Sequence, residues 1–575
     1  MKLEDINKIK KMSSKLLLTI LIIGMSMVTG CSDDLDVTPE SVWKIEDFYK
    51  TTSQLELALN GAYGLLATDD VYGRSFMYMD YGTDEGYYTV TWNEAYAIPL
   101  YRHTTNDEYV KRLWLNLYSV VNQANNILER VDPSNFENEE HIPYLAEARF
   151  LRGFCYYQLL AWYGEVPLRT ASTKQTSDNH MEVANQTEIY AQIIEDLNYA
   201  SENLNLAAEV TPGRANKMAA HGILARVYLK MAGYPLKDTQ YYQKALEECE
   251  IVMASNHDLI PSSFEVVTDP DSGNEVKVVL EDGYASHFLS YIENRYDQVE
   301  SIFEITFQAN LLNLGVSTHG KIGVDNGLSF KYGVIGDGYP LTNNAVCASV
   351  KMQNLYEMED IRRAWNIPEV QYTNAGKIIK AWPLSAQYGT GKFRRWEPAP
   401  DGTPPNSDGT DAYVLLEDTN NPDRNNTGIN FPILRYADIL LMHAEASNYI
   451  DGPNIAALES LNKVRERAGL EGFTLSDTEV ATKQAFFEEL VDERSRELCY
   501  EGLRKQDLIR WELLDDALEE IDALIKGDPA YTGNGIQVAM LRASDSFDPA
   551  KHLTLPYPEQ EVNINNNLEQ KPAWK

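Results

Sequence analysis

The sequence predicts a mainly α-helical protein: a scaffold of tetratricopeptide-like helix pairs with an irregular insertion that carries short β-strands. Three observations carry that prediction. Apolar residues recur at three- and four-residue steps across 107–255 and again across 430–511, the spacing that lines one face of an α-helix. Short turns bearing Gly or Pro separate these stretches, and a short turn folds two helices back on each other as an antiparallel pair. Between about 256 and 429 the helical spacing lapses while Gly, Asp, Asn and Pro accumulate. No strict W-x-x-L-G period accompanies the pairs.

The 575 residues contain no Ser/Gly or Pro linker, which implies one large unit or two tightly packed lobes. Net charge is -36, and five lysines against two acids in 1–30 leave the segment from Cys31 onward at -39. Such a chain is repelled by nucleic acid. Its 35 tyrosines exceed what a core needs. Cys31, Cys155, Cys249, Cys347 and Cys499 are widely spaced, without a C-x-x-C pair, so neither a zinc site nor a disulfide framework is indicated. Cys155, Cys249 and Cys499 fall in helical patterns and read as small buried hydrophobes.

In chain order, Lys15 and the apolar run 16–28 are too short to span a bilayer and fit a signal-peptide core, which makes 1–30 a signal sequence with Met1 or Met12 as its start. The run ends Val28-Thr29-Gly30-Cys31, which resembles the lipobox of bacterial lipoproteins and implies acylation at Cys31. Residues 31–40 read as an acidic tether, and the folded body begins near 41. Ser53-Gln54-Leu55-Glu56 has capping-box form ahead of a helix face at Leu55, Leu59, Ala62, Tyr63 and Leu66.

From 72 to 101 periodicity lapses and rings crowd together, among them Tyr72, Phe76, Tyr78, Tyr81, Tyr87, Tyr88, Trp92, Tyr96 and Tyr101. Sugars present apolar C–H faces that stack on flat rings and hydroxyls that need planar donors and acceptors, so this segment leads as a ligand site. The competing reading has the rings plug a loop against helices, and the two stand level because aromatics usually pack inside. Helices follow at 107–130, 143–163, 187–204, 216–232 and 241–255.

Within the insertion, Phe303, Ile305 and Phe307 alternate with Glu304 and Thr306 as a half-buried strand. Just before it, Tyr284, Phe288, Tyr291, Asn294, Arg295 and Tyr296 form a second aromatic and polar cluster. Gly389-Thr390-Gly391-Lys392 is not a phosphate loop, since Phe393 replaces the needed Ser or Thr. The basic run 392–396 reads as Arg–carboxylate packing.

The densest pattern is 430–511. Leu434, Ala437, Leu441, Ala444 and Asn448 predict a helix stopped at Asp451, Gly452 and Pro453, and Leu458, Leu461, Val464 and Ala468 predict its antiparallel partner. A third helix is expected over 483–511, loosened at Gly502. Arg435, Asp438, Glu445, Arg496, Glu497, Arg504 and Asp507 read as structural ion pairs, which commonly mimic catalytic clusters. Pro556 and Pro558 imply an irregular folded tail.

LRYADILLMHAEA, N-x-V-R-x-R-A-G-L and E-L-C-Y-E-G-x-R-x-x-D-L-I-R-W closely resemble the SusD/RagB family, the surface nutrient-binding lipoproteins of Bacteroidetes. AEARFLRGFCYYQLLAWYGEVPL, GRANKMAAHGILARVYLKMAG, SIFEITFQ and the closing HLTLPYPEQEVNINNNLEQKPAW are similar to the same family, so the resemblance covers nearly all of the chain after Cys31. It implies a lipid-anchored protein on the outer face of the outer membrane. There it would bind an oligosaccharide, or less often a peptide or other nutrient, and deliver it to a SusC-like TonB-dependent transporter that it caps. It implies binding and handover without chemistry, and no cofactor or metal-ligand residues are read from the sequence.

Trp92, Tyr87, Tyr96, Tyr291 and Tyr296 are the stacking candidates, with Arg74, Asp84, Asn93 and Asn294 as hydroxyl partners. Two rivals are a surface glycoside hydrolase and a helical-repeat adaptor that binds the barrel alone. H-A-E-A-S at His443 lacks the second histidine of H-E-x-x-H, and there is no G-x-S-x-G elbow. Paired carboxylates cannot be read from sequence.

Overall fold

Helix pairs stacked side by side form the scaffold. The computed structural model describes residues 47–575 apart from 90–96, 269–274, 309–318, 331–340, 343–344, 374, 381–388, 408, 418–423, 530 and 534. Lys50–Lys575 form one compact unit, separate from the N-terminal stretch that ends at Tyr49. The N-terminal half supplies α1 (Thr52–Leu66), α2 (Ser75–Asp80), α3 (Glu108–Arg130), α4 (Ile142–Tyr163), α5 (Gln186–Asn203), α6 (Lys217–Ala232) and α7 (Tyr241–Met253). The insertion holds short α8 (Gly283–Ile292), α9 (Val350–Leu355) and α10 (Arg362–Asn366). The C-terminal part adds α11 (Tyr436–Asp451), α12 (Ile455–Arg467), α13 (Lys483–Leu498), α14 (Arg504–Trp511), α15 (Leu514–Gly527) and α16 (Ile536–Ser546).

Each of α3 to α7 packs against the next, and α7 then packs against α11. The stack therefore continues straight across the insertion. Side-chain caps begin α3, α5, α6, α12 and α13: Asp107 accepts from the Tyr109 and Val110 amides, Asn185 forms a capping box with Glu188, and Asn216, Asn454 and Thr482 each cap one helix. A cap of this kind stabilises a helix by about 1 kcal/mol. Gly164 (φ +66°) and Gly452 (φ +74°) end α4 and α11 in the left-handed region, where a side chain is strained. No helix among the described residues is long and apolar enough to cross a membrane.

The strands are short and pair two by two: β1 (Gly86–Tyr88) with β5 (Val346–Ala348), β2 (Ser263–Thr268) with β3 (Glu275–Glu281), and β4 (Ser301–Ile305) with β10 (Phe431–Arg435). β6 (Val370–Tyr372) pairs with β7 (Ile378–Lys380), and β8 (Trp396–Pro398) with β9 (Tyr413–Leu415). All five pairs are antiparallel.

Three local expectations change. Thr51, not Ser53, caps α1, its hydroxyl accepting from the Gln54 amide. Leu434 lies in β10, because Phe431–Arg435 finds a partner in β4 before the helix starts. The helix expected over 483–511 breaks into α13 and α14, since Tyr500 (φ +66°) and Gly502 (φ +78°) both turn left-handed. Cys155, Cys249, Cys347 and Cys499 are all buried.

The break in that helix organises a buried ion network. Glu497 accepts from Arg435 at 2.6 Å, Arg467 at 2.5 Å and Arg362 at 3.0 Å, and every one of these side chains is essentially inaccessible. Burial alone would raise the Glu497 pKa, and Arg467, Arg435, Arg362 and Lys392 outweigh it and hold the carboxyl far below the usual range. Arg435 also holds Glu501 at 2.7 Å, and Lys392 meets the same carboxylate at 2.8 Å. Arg494 joins Asp438 to Asp507, and Arg226 reaches Asp438 from α6. The charges of 430–511 are thus structural, as ion pairs between α6, α10, β10, α11, α12, α13 and α14. In the basic run, Lys392 and Arg395 do pair with carboxylates, Glu501 and Glu417, whereas Arg394 lies 4.0 Å over Trp365 and donates to backbone carbonyls.

Candidate functional site

The aromatic segment 72–101 closes on the scaffold through its rings. Tyr72 and Phe76 lie 4.5 Å apart, and Phe76 meets Trp162 of α4 and Phe431 of β10 edge-on. Tyr72, Phe76, Tyr78, Tyr81, Tyr87, Tyr88 and Tyr101 are all buried. For these residues the plug reading holds. Trp92, Asn93 and Tyr96 lie outside the described residues, as do Cys31, the signal segment and the tether.

Gly82 sets the turn inside the segment. Its φ is +84°, the Tyr101 hydroxyl donates to its carbonyl at 2.8 Å, and a Cβ there would stand 2.1 Å from the Pro99 carbonyl oxygen. Gly82→Ala is therefore expected to destabilise the protein by about 2–4 kcal/mol, through strain and a clash with backbone, read as a lowered thermal midpoint.

Three candidates are withdrawn from the surface. Asp84 is buried in a two-pronged pair with Arg504, at 2.9 and 2.6 Å, which overcomes the effect of burial and lowers its pKa to about 2. Tyr87 packs with Cys347, Ile521 and Met540 in a core cluster, because β1 is covered on its outer side by α15 and α16. Tyr291 is fully buried, its ring edge-on to His287 within α8. These are residues that fix the loop, and a ligand does not reach them.

Arg74 is different. Its side chain keeps 22% exposure while Nε donates to Asp325 at 2.9 Å, and Tyr78 donates its hydroxyl to the same carboxylate oxygen at 2.7 Å. Burial disfavours the Arg74 charge, but Asp325 and the neighbouring Tyr78 and Tyr109 outweigh that and raise its pKa. Lys321 stands beside it: the Lys321 amide donates to the Gly73 carbonyl at 2.7 Å and its ammonium reaches Asn426 at 2.7 Å. Asp69, whose pKa burial raises, completes the group.

The second cluster joins this neighbourhood through backbone. Gly320 sits against Gly73 and against the Phe307 ring, and Asn294 Nδ2 donates to the Phe307 carbonyl at 2.9 Å. Asn294 holds a left-handed φ of +57°, and its buried Oδ1 has no hydrogen-bond partner among the described residues. Tyr296 follows, 46% exposed. Arg74, Lys321, Asn294 and Tyr296 thus offer a planar guanidinium, an ammonium, an amide and an exposed ring. Asp325 and Lys321 escaped sequence reading, since an isolated Asp and Lys in an irregular stretch carry no periodic signal. Among the described residues, no cluster of three or more His, Cys, Asp or Glu is arranged to hold a metal.

Two family models match the chain: the SusD family over 300–574, and a family described as starch-binding and associating with the outer membrane over 33–229. SusD-like protein P25 of Formosa agariphila is 25% identical over 559 residues, 93% of this chain and 94% of that one. Starch-binding protein SusD of Bacteroides thetaiotaomicron is 23% identical over 619 residues, 99% of each. A solved SusD homolog from Bacteroides thetaiotaomicron superposes with a TM-score of 0.75 at 25% identity, covering 92% of this chain and 98% of that one. A laminarin-binding SusD-like protein shares the fold, with a TM-score of 0.65 at 20% identity and coverage of 91% and 100%.

Proposed function

Because this chain belongs to the SusD-like family, we propose that it captures a glycan at the outer membrane and hands it on chemically unchanged. The partly exposed Arg74 guanidinium, braced by Asp325 and Tyr78 beside Lys321, carries the reading. A planar donor fork held in place matches the vicinal hydroxyls of a sugar, and bracing it beforehand avoids an ordering cost on binding. Asn294 supplies an unpaired amide oxygen and Tyr296 an exposed ring. Trp92 and Tyr96 would stack on sugar rings and Asn93 would bond a hydroxyl. The starch-binding and laminarin-binding relatives support a glycan over a peptide.

Acylation at Cys31 would anchor the chain, and a SusC-like TonB-dependent barrel would receive the ligand. The use of the carboxylates supports binding rather than hydrolysis. Asp325 is engaged by Arg74 and Tyr78, while Asp84, Glu493 and Glu497 are locked in buried pairs. Arg74→Ala is expected to weaken oligosaccharide binding roughly 10- to 100-fold, the worth of a charged hydrogen bond. Calorimetry against plant, host and microbial oligosaccharides and peptides measures this, each mixture being assayed afterward for cleavage. Wild-type affinity unchanged in Arg74→Ala would sink this site, and cleavage would sink the binding-only reading.

A further inference from the structure

A second cavity, of about 350 Å³, opens where the turn between α6 and α7 meets α11, α13 and α14. It shares no lining residue with the Arg74 neighbourhood. Tyr242 and Tyr449 stack in its wall with centroids 3.7 Å apart, and Phe487 meets Trp511 edge-on at 5.5 Å. Trp511 is held in place by its indole N–H, which donates to Glu445 at 3.0 Å.

The charges around the cavity answer one another. Arg510 holds Glu445 at 2.7 Å, Lys237 holds Glu512 at 2.6 Å, and the Lys483 ammonium donates to the Tyr449 carbonyl. Asn448 is left unanswered: it is 2% exposed, its Nδ2 donates to the Lys483 carbonyl at 3.0 Å, and its buried Oδ1 has no partner among the described residues. A buried amide oxygen without a partner is unfavourable, and a ligand hydroxyl would relieve it. An anionic ligand would meet Glu445 and Glu512, and a cationic one Lys237 and Lys483. The Lys483 ammonium lies 3.9 Å from the Tyr449 ring centre and the Arg510 guanidinium 4.5 Å from that of Trp511, so the walls offer a ligand the Phe487 ring, ring edges and a neutral acceptor, with Thr239 and Gln484 exposed at the rim.

We propose that this cavity is a second saccharide site, on the helical scaffold, taking a neutral sugar segment of about two rings. It rests on the glycan reading above but uses different residues. A long glycan held at both sites would gain avidity over either alone.

The test is calorimetry with laminari-, malto-, xylo- and mannohexaose on the wild type, on Arg74→Ala, and on Arg74→Ala combined with Phe487→Ala or with Gln484→Trp. Gln484 is exposed, so the tryptophan fills the mouth without disturbing the core. Arg74→Ala should retain weak binding of one hexaose, and either added substitution should weaken it roughly fivefold or more, with the thermal midpoint unchanged by Gln484→Trp. Binding that vanishes in Arg74→Ala alone, or residual binding indifferent to both added substitutions, overturns the second site and leaves the glycan reading standing. Silence of the wild type to all four sugars overturns the second site, while the glycan reading is judged on the wider panel above.

Discussion

Replacing Glu497 with alanine is expected to destabilise the protein by about 3–5 kcal/mol, seen as a large fall in the denaturant midpoint. Glu497 is the meeting point of Arg435, Arg467 and Arg362, which arrive from β10, α12 and α10. Removing the carboxylate leaves these guanidiniums buried near one another with reduced compensation. Glu501 still answers Arg435, Glu300 answers Arg467 at 3.0 Å, and Asp360 answers Arg362 at 2.7 Å, so collapse is not complete. Glu497→Gln keeps the shape while losing the charge, and an equal fall in both variants would assign the effect to charge rather than to the space left behind. A midpoint within experimental error of the wild type in Glu497→Ala would show that the network is dispensable.

Acid should unfold the protein steeply between about pH 4 and pH 2. Asp84, Asp438 and Glu493 are all buried, which by itself would raise their pKa values. Arg504 for Asp84, Arg226 and Arg494 for Asp438, and Arg362 and Arg496 for Glu493 prevail and lower each to about 2. In the unfolded chain such carboxyls titrate near pH 4, so between the two values the unfolded state binds more protons. Their stabilisation is whole above about pH 4 and lost as pH falls through about 2, several kcal/mol in sum.

Another set of carboxyls runs the other way. Burial pushes Glu85 up to about 8 and Glu304 and Glu489 to about 7. There the folded chain takes up protons first, and stability grows as pH falls toward about 4.5. Burial lowers Lys230, Lys505 and Lys571 to about 7, so their destabilising effect accumulates between about pH 10 and 7 and is constant below that. The thermal midpoint should therefore peak near about pH 5. A peak above pH 7 would contradict these assignments.

Much of this architecture was legible because helices announce themselves. Periodicity located α3 through α7 and α11 to within a residue or two, and Gly452 ended α11 as expected. The ion pairs of 430–511 were legible as structural, since charges recurring on helices with an apolar face have few other uses. Tyr87, Tyr291 and Asp84 misled. An aromatic or acidic residue in an aperiodic stretch looks the same in sequence whether it faces solvent or seals a loop, and the difference depends on partners as remote as Arg504 and α15. The second cavity escaped notice for the converse reason. Tyr449, Phe487 and Trp511 lie on strongly periodic helices, where a ring reads as core.

The bond between Asp84 and Arg504 joins residues 420 positions apart. The loop that carries Arg74 therefore needs the far end of the chain to close, however complete the helices of the N-terminal half already are. A chain truncated before residue 504 would carry Asp84 and Glu85 with no counter-charge from Arg504.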